Sequence, residues 1–250
     1  MKTPKTVPSL SKKNNMKKLL VVLLSIAFVS ANAQTADEVI QKYAAAMGGL
    51  DAFNKISSAK MTGTVTAQGN DFPVSIQVIN GKAMRTDVDI MGQSIVNVYN
   101  NGTGWKINPF AGVTVATDVT GTELTDFKAQ ASLSNHLMDY KNRGHKVELA
   151  GTEKMDGLNV FKIKLTNKDD GKLITYYINS ADYTLVKSIT KRDIQGTEVE
   201  VETTYSDIKE INGAKFAMTR TQTAGGAELQ TIKLEKIELN VAIDEKIFNK

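Results

Sequence analysis

The 250-residue chain carries 31 Lys and Arg against 27 Asp and Glu, but six of the lysines lie in residues 1–33, which hold no acid, so residues 34–250 are net −2. That balance lacks the basic face a nucleic-acid partner needs to displace counterions from phosphates, and none is expected. The chain has no cysteine, which excludes disulfides and a cysteine-borne lipid anchor, so the hydrophobic core must supply the stability.

In chain order, residues 16–34 come first and read as a secretory signal peptide. Lys17 and Lys18 form its charged start, Leu19 to Val29 its apolar run, and Ala31-Asn32-Ala33 a small-residue cleavage site before Gln34. Met16 is an alternative start, and either way residues 1–33 are read as a cleaved leader and 34–250 as a single domain. The apolar run is shorter than the ~20 residues a membrane-crossing helix needs, and no second run follows. A periplasmic location without stable membrane insertion is therefore expected.

Thr35-Ala36-Asp37-Glu38 forms a capping-box pattern, after which Ala36, Ile40, Tyr43 and Met47 recur at helical spacing up to Gly48-Gly49. Leu50 to Ile56 predicts a further short turn of helix. From Lys60 the period becomes two, with Met61, Gly63 and Val65, then Phe72, Val74, Ile76 and Val78, then Met84, Thr86 and Val88 on one face. Further strands are predicted over 93–99, 104–108, 113–117, 146–153, 159–166, 173–179, 184–193, 197–208, 215–223 and 227–239. Asn80-Gly81, Asn101-Gly102, Asp156-Gly157, Asp170-Gly171 and Asn212-Gly213 mark tight turns between them. Thr122 to Tyr140 interrupts the meander with apolar residues near helical spacing. So broad an apolar helix needs a cover, and the concave face of a curled sheet supplies one.

Five stretches carry a family resemblance: Ala46 to Ile56 leading into Met61-Thr62-Gly63, Val147 to Gly157 followed by Val160 to Leu165, Ile174 to Asn179, Tyr205 to Gly213, and Ile237 to Phe248. With these the chain resembles the LolA/LolB superfamily, and within it the exported LolA-like outer-membrane lipoprotein-sorting proteins. The resemblance implies a curved antiparallel half-barrel of about eleven strands with helices covering its concave face. It also implies a periplasmic carrier that binds acyl chains of lipoproteins or lipids between an inner-membrane donor and an outer-membrane acceptor protein. The alternative is a non-catalytic envelope scaffold or protein-binding module with a filled interior.

Chemistry-bearing patterns are sparse. Two histidines, His136 and His145, do not make a metal cluster, and Ser134 and Asp139 beside His136 lack a nucleophile elbow, so no metal, cofactor or catalysis is expected. Glu198, Glu200 and Glu202 on one strand face read as a solvated ladder. The candidate ligand-binding residues are apolar: Met61, Val65, Phe72, Val74, Ile76, Val78, Met84, Val88, Tyr99, Trp105, Phe127, Phe161, Ile163, Leu165 and Met218, with Tyr177 and Met91 alongside. Adaptable walls suit acyl chains. Alternation shows which face is apolar and leaves open whether that face encloses a void or a solid core.

Overall fold

A computed structural model describes residues 34–194 and 196–250, together with residues 1 and 3, so the signal-peptide reading up to Ala33 lies outside the described residues. The fold belongs to the compact unit Ala36–Lys250. It opens with α1 (Ala36–Ala46) and α2 (Leu50–Asn54), followed by β1 (Ser58–Ala67), β2 (Asn70–Ile79), β3 (Ala83–Ile90), β4 (Gln93–Asn100), β5 (Thr103–Asn108) and β6 (Val113–Asp118). A connecting segment holds α3 (Gly121–Gln130) and α4 (Tyr140–Arg143). Seven strands complete the chain: β7 (Lys146–Met155), β8 (Leu158–Thr166), β9 (Leu173–Asn179), β10 (Leu185–Ile194), β11 (Thr197–Ile211), β12 (Ala214–Ala224) and β13 (Ala227–Leu239), with a final 3-10 turn at Glu245–Phe248. Among the described residues no helix is long and apolar enough to cross a membrane.

All thirteen strands form one open sheet in the order β6-β5-β4-β3-β2-β1-β13-β12-β11-β10-β9-β8-β7. Every neighbouring pair is antiparallel. The count matches the thirteen strands that period and turn signals predict and exceeds the eleven or so that the resemblance implies. Two meanders meet where β1 pairs with β13, which leaves β6 and β7 as the free edges. In a flat sheet, twelve strand intervals of ~4.8 Å would hold those edges about 58 Å apart. Yet Met84 and Tyr99 of β3 and β4 share one buried cluster with Phe161, Ile163 and Leu165 of β8, through helix residues Ile40, Tyr43 and Phe127. The sheet therefore curls around the helices without closing.

Local chemistry sets the details of this curl. Pro73, which has no N–H to give, stands where β2 pairs with β1 alone; pairing with β3 begins at Val74. Gly63 sits at the register shift between β1 and β13, where a Cβ would fall 2.1 Å from the Lys233 carbonyl oxygen. The turn Asn101-Gly102 has φ of 47° and 92°, as its sequence predicts, and Met91-Gly92 builds the same turn with 53° and 82°. Met91, expected among the apolar walls, is thus at an exposed hairpin tip.

The predicted helix over Thr122 to Tyr140 is shorter than expected. It ends at Gln130, and helix resumes only at Tyr140–Arg143. The cause is competition from short polar side chains: the Asn135 side chain accepts from the Met138 amide at 2.9 Å, and the Leu133 amide donates to Asn80 in the turn after β2 at 3.0 Å. The apolar residues of the segment stay inward regardless, with Phe127, Ala131, Leu137, Met138 and Tyr140 all buried.

A second, smaller core lies on the outer face, where Ala83, Val96, Val98 and Trp105 pack against Phe248. The Trp105 indole N–H donates to the Phe248 carbonyl at 3.2 Å, and Arg85 donates to the Ile247 carbonyl at 2.8 Å. The C-terminal segment is thereby fixed to the back of β3–β5.

Candidate binding cavity

The connection from β6 to β7 runs over the inner face, because it joins the two free edges of a curled sheet. Gly104 on β5 lets α3 approach closely: a Cβ there would fall 2.9 Å from Leu124 Cδ1. Lys106 on β5 pairs with Glu123 at 2.7 Å, while on the other side Lys128 pairs with Asp169 at 2.6 Å and Lys172 with Asp126 at 2.8 Å. The helix thus straps one half of the sheet to the other. Beyond it, Ala131 accepts from the Gly81 amide at 2.8 Å, and Arg143 donates to the Ser132 hydroxyl and the Ser134 carbonyl. Asn135 donates to the Tyr43 hydroxyl, and Tyr140 and Lys141 both donate to Asp37 at the start of α1. Lys141, with Tyr140 second, holds the Asp37 carboxyl below the usual carboxylate range.

Between this cover and the sheet lies a cavity of about 300 Å³, partly open to solvent. That is at the lower end of the ~300–1,000 Å³ typical of small-ligand sites. Its floor comes from Met61, Ile76, Val78, Met84, Phe216, Ile232 and Leu234, its walls from Tyr43, Met47, Phe53, Tyr176 and Tyr205, and its cover from Leu133, Asn135, His136 and Met138. Burial pushes the Tyr43 hydroxyl well above its ordinary pKa, with Tyr205 adding to the effect, and does the same to Tyr176. Both therefore remain neutral hydrogen-bonding groups at physiological pH.

Of the apolar residues singled out in the sequence, Met61, Ile76, Val78 and Met84 line this cavity. Tyr99, Phe127, Phe161, Ile163, Leu165 and Met218 are buried in the surrounding cluster without lining it. Val65, Phe72, Val74 and Val88 share strand faces with the lining residues by alternation and lie further along β1–β3. Trp105 is on the opposite face: it pairs with Val98, not Tyr99, and belongs to the outer core. Period two marks its face as apolar, and here both faces are covered. Tyr177 likewise faces outward, with Lys162 and Lys187 about 5.5 and 5.4 Å from its ring centroid, while Tyr176 faces in. Arg220 was not singled out, although it follows Phe216 and Met218 at the same alternation. Gln34, after the predicted cleavage point, precedes the described fold.

The histidines stack on each other at 4.9 Å, and neither ring nitrogen of His136 has a hydrogen-bond partner among the described residues. Burial, then the charges of Arg143 and His145, pushes the His136 pKa down to about 4, against opposing pulls from Asp169 and Asp170. Ser134 is engaged with Arg143 and Ser132, so Ser134, His136 and Asp139 do not assemble as a nucleophile, base and orienting acid. No group of three or more metal-ligating side chains is present among the described residues. The glutamates of β11 alternate with Val199 and Val201, and Glu198 and Glu202 face Lys191 and Lys187 of β10 at 3.6 and 2.8 Å.

No family model and no curated protein matches this sequence. Solved structures do match in fold. A LolA superfamily protein from Nitrosomonas europaea superposes with a TM-score of 0.58 at 14% identity, over 87% of this chain and 99% of that one. A domain from Vibrio parahaemolyticus, described as an outer membrane lipoprotein-sorting protein, gives 0.53 at 14% identity over 85% and 95%. A DUF1329 family protein from Desulfovibrio piger gives 0.51 at 10% identity over 86% and 97%. The chain has a LolA-like fold.

Proposed function

We propose that the protein is a carrier in the cell envelope that shelters acyl chains of lipids or lipoproteins during transfer towards the outer membrane. The observation that carries this reading is a partly open cavity with an apolar, methionine-containing floor under a cover held largely by polar side-chain contacts. Methionine conforms to flexible guests, and each methylene removed from water contributes ~0.8 kcal/mol, so a chain of ordinary length gains enough to offset leaving a bilayer. The signal-peptide pattern supports export, and the description of the Vibrio domain supports lipoprotein sorting as the process. At about 300 Å³ the cavity accepts part of a cargo. Larger cargo enters when α3 and residues 131–139 swing off the sheet, a motion that breaks side-chain contacts and leaves the strand ladder intact.

Extraction of a fluorescent phospholipid from vesicles tests both statements. The protein is expected to remove lipid into a soluble complex. A disulfide between Gly104→Cys and Leu124→Cys, placed where α3 touches β5, is expected to suppress extraction until reductant is added. Undiminished extraction by the oxidised variant would refute the cover motion. Failure of the unmodified protein to extract any lipid would favour a scaffold with a static interior.

A further inference from the structure

The cavity lining includes two cations, Lys215 and Arg220, and no carboxylate, in a chain whose residues 34–250 are net negative. Neither cation makes an ion pair or a side-chain hydrogen bond among the described residues. Arg220 lies two residues beyond Met218 on β12, so the alternation that turns Phe216 and Met218 inward turns Arg220 inward as well.

Arg220 also ends a polar row that crosses four adjacent strands. Tyr176 on β9 stands opposite Ser188 on β10, the Ser188 and Tyr205 hydroxyls are 2.9 Å apart, and Tyr205 on β11 stands opposite Arg220. Tyr176 is only 5% exposed, lines the cavity, and its hydroxyl has no hydrogen-bond partner among the described residues. Arg220 is exposed at the open side of the cavity, where an anionic oxygen group on a guest accepts a charge-assisted hydrogen bond that a neutral head cannot match. Tyr176, three strand intervals of ~4.8 Å away, is too far along the row to share that group. Arg presents a planar fork that fits carboxylate and phosphate alike.

We propose that the cavity takes an amphiphile with an anionic head, a carboxylate or a phosphate, seated on Arg220 at the end of the Tyr176–Ser188–Tyr205 row, with its chain on the methionine floor. The inference rests on the carrier reading above and names its cargo class: anionic lipid, as opposed to a guest whose buried part is purely neutral.

The test compares palmitate with hexadecanol, two chains of equal length that differ in head charge, by displacement of the uncharged dye Nile red from protein purified after full-length expression. At pH 8 palmitate is expected to bind at least tenfold more tightly than hexadecanol. In Arg220→Gln the ratio is expected to fall to about one. Equal affinities in the unmodified protein, or a preference that survives Arg220→Gln, would overturn the inference while leaving the carrier reading intact. If neither chain binds, both fail. Inorganic phosphate at millimolar concentration separates the sources: a chain-borne head predicts that it displaces palmitate poorly, and displacement as effective as by a second palmitate would assign the site to free anions.

Discussion

Asn80 holds three separate stretches of backbone together. Its side-chain amide donates to the Phe53 and Ile56 carbonyls at 3.1 and 2.8 Å and accepts from the Leu133 amide at 3.0 Å. Asn80→Ala is expected to destabilise the fold by about 1–3 kcal/mol, since it strands backbone groups beneath the cover; an unchanged urea midpoint would contradict this. His136 gives a pH signature. Its folded pKa of about 4 lies below the unfolded value of 6.5, so between those values the unfolded chain takes up a proton that the folded chain refuses. Stability is therefore lost as pH falls from about 6.5 towards 4 and levels off below. His136→Phe keeps a ring against His145 and removes the titration, so its urea midpoint should change less between pH 7 and pH 4.5 than that of the unmodified protein. Parallel changes would assign the acid sensitivity elsewhere. Neither role is written in the sequence: Asn80-Gly81 reads as a turn, and nothing local shows that the turn's side chain reaches residues 53, 56 and 133.

At the scale of elements, period and turn chemistry located all thirteen strands, because each strand's face and each hairpin are local facts. The connecting segment was harder. Its apolar spacing is helical to Tyr140, but Ser132, Ser134 and Asn135 find partners that compete with the helix. The outer core was missed for a different reason: Trp105 and Ile107 announce an apolar face, and only the path of the C-terminal segment shows what covers it. Phe248→Ala empties that cover and is expected to cost about 3–5 kcal/mol, with Trp105 emission shifting to the red in the native state as its indole becomes wet. A mutant whose stability and emission are unchanged would show that the segment does not hold the back of the sheet.

At the scale of the molecule, alternation identified the inward faces but not where they part to leave a void. Met61 and Met84 line the cavity, whereas Phe161, Ile163 and Leu165 fill the core beside it. That difference is set by curl and by the course of the β6–β7 connection, both products of contacts far apart in sequence. Arg220 shares the inward alternation of Phe216 and Met218 yet stays exposed, and only the fold shows that this slot lies on the cavity's lining. The central claim is that the inner face of this open sheet holds acyl chains. Its most direct test is native mass spectrometry, with lipid extraction, of the protein purified without detergent from cells that express the full-length chain. The account predicts a mass excess that extraction resolves into phospholipid, fatty acid or acylated peptide. A clean unliganded mass that stays unchanged when lipid is offered would contradict it.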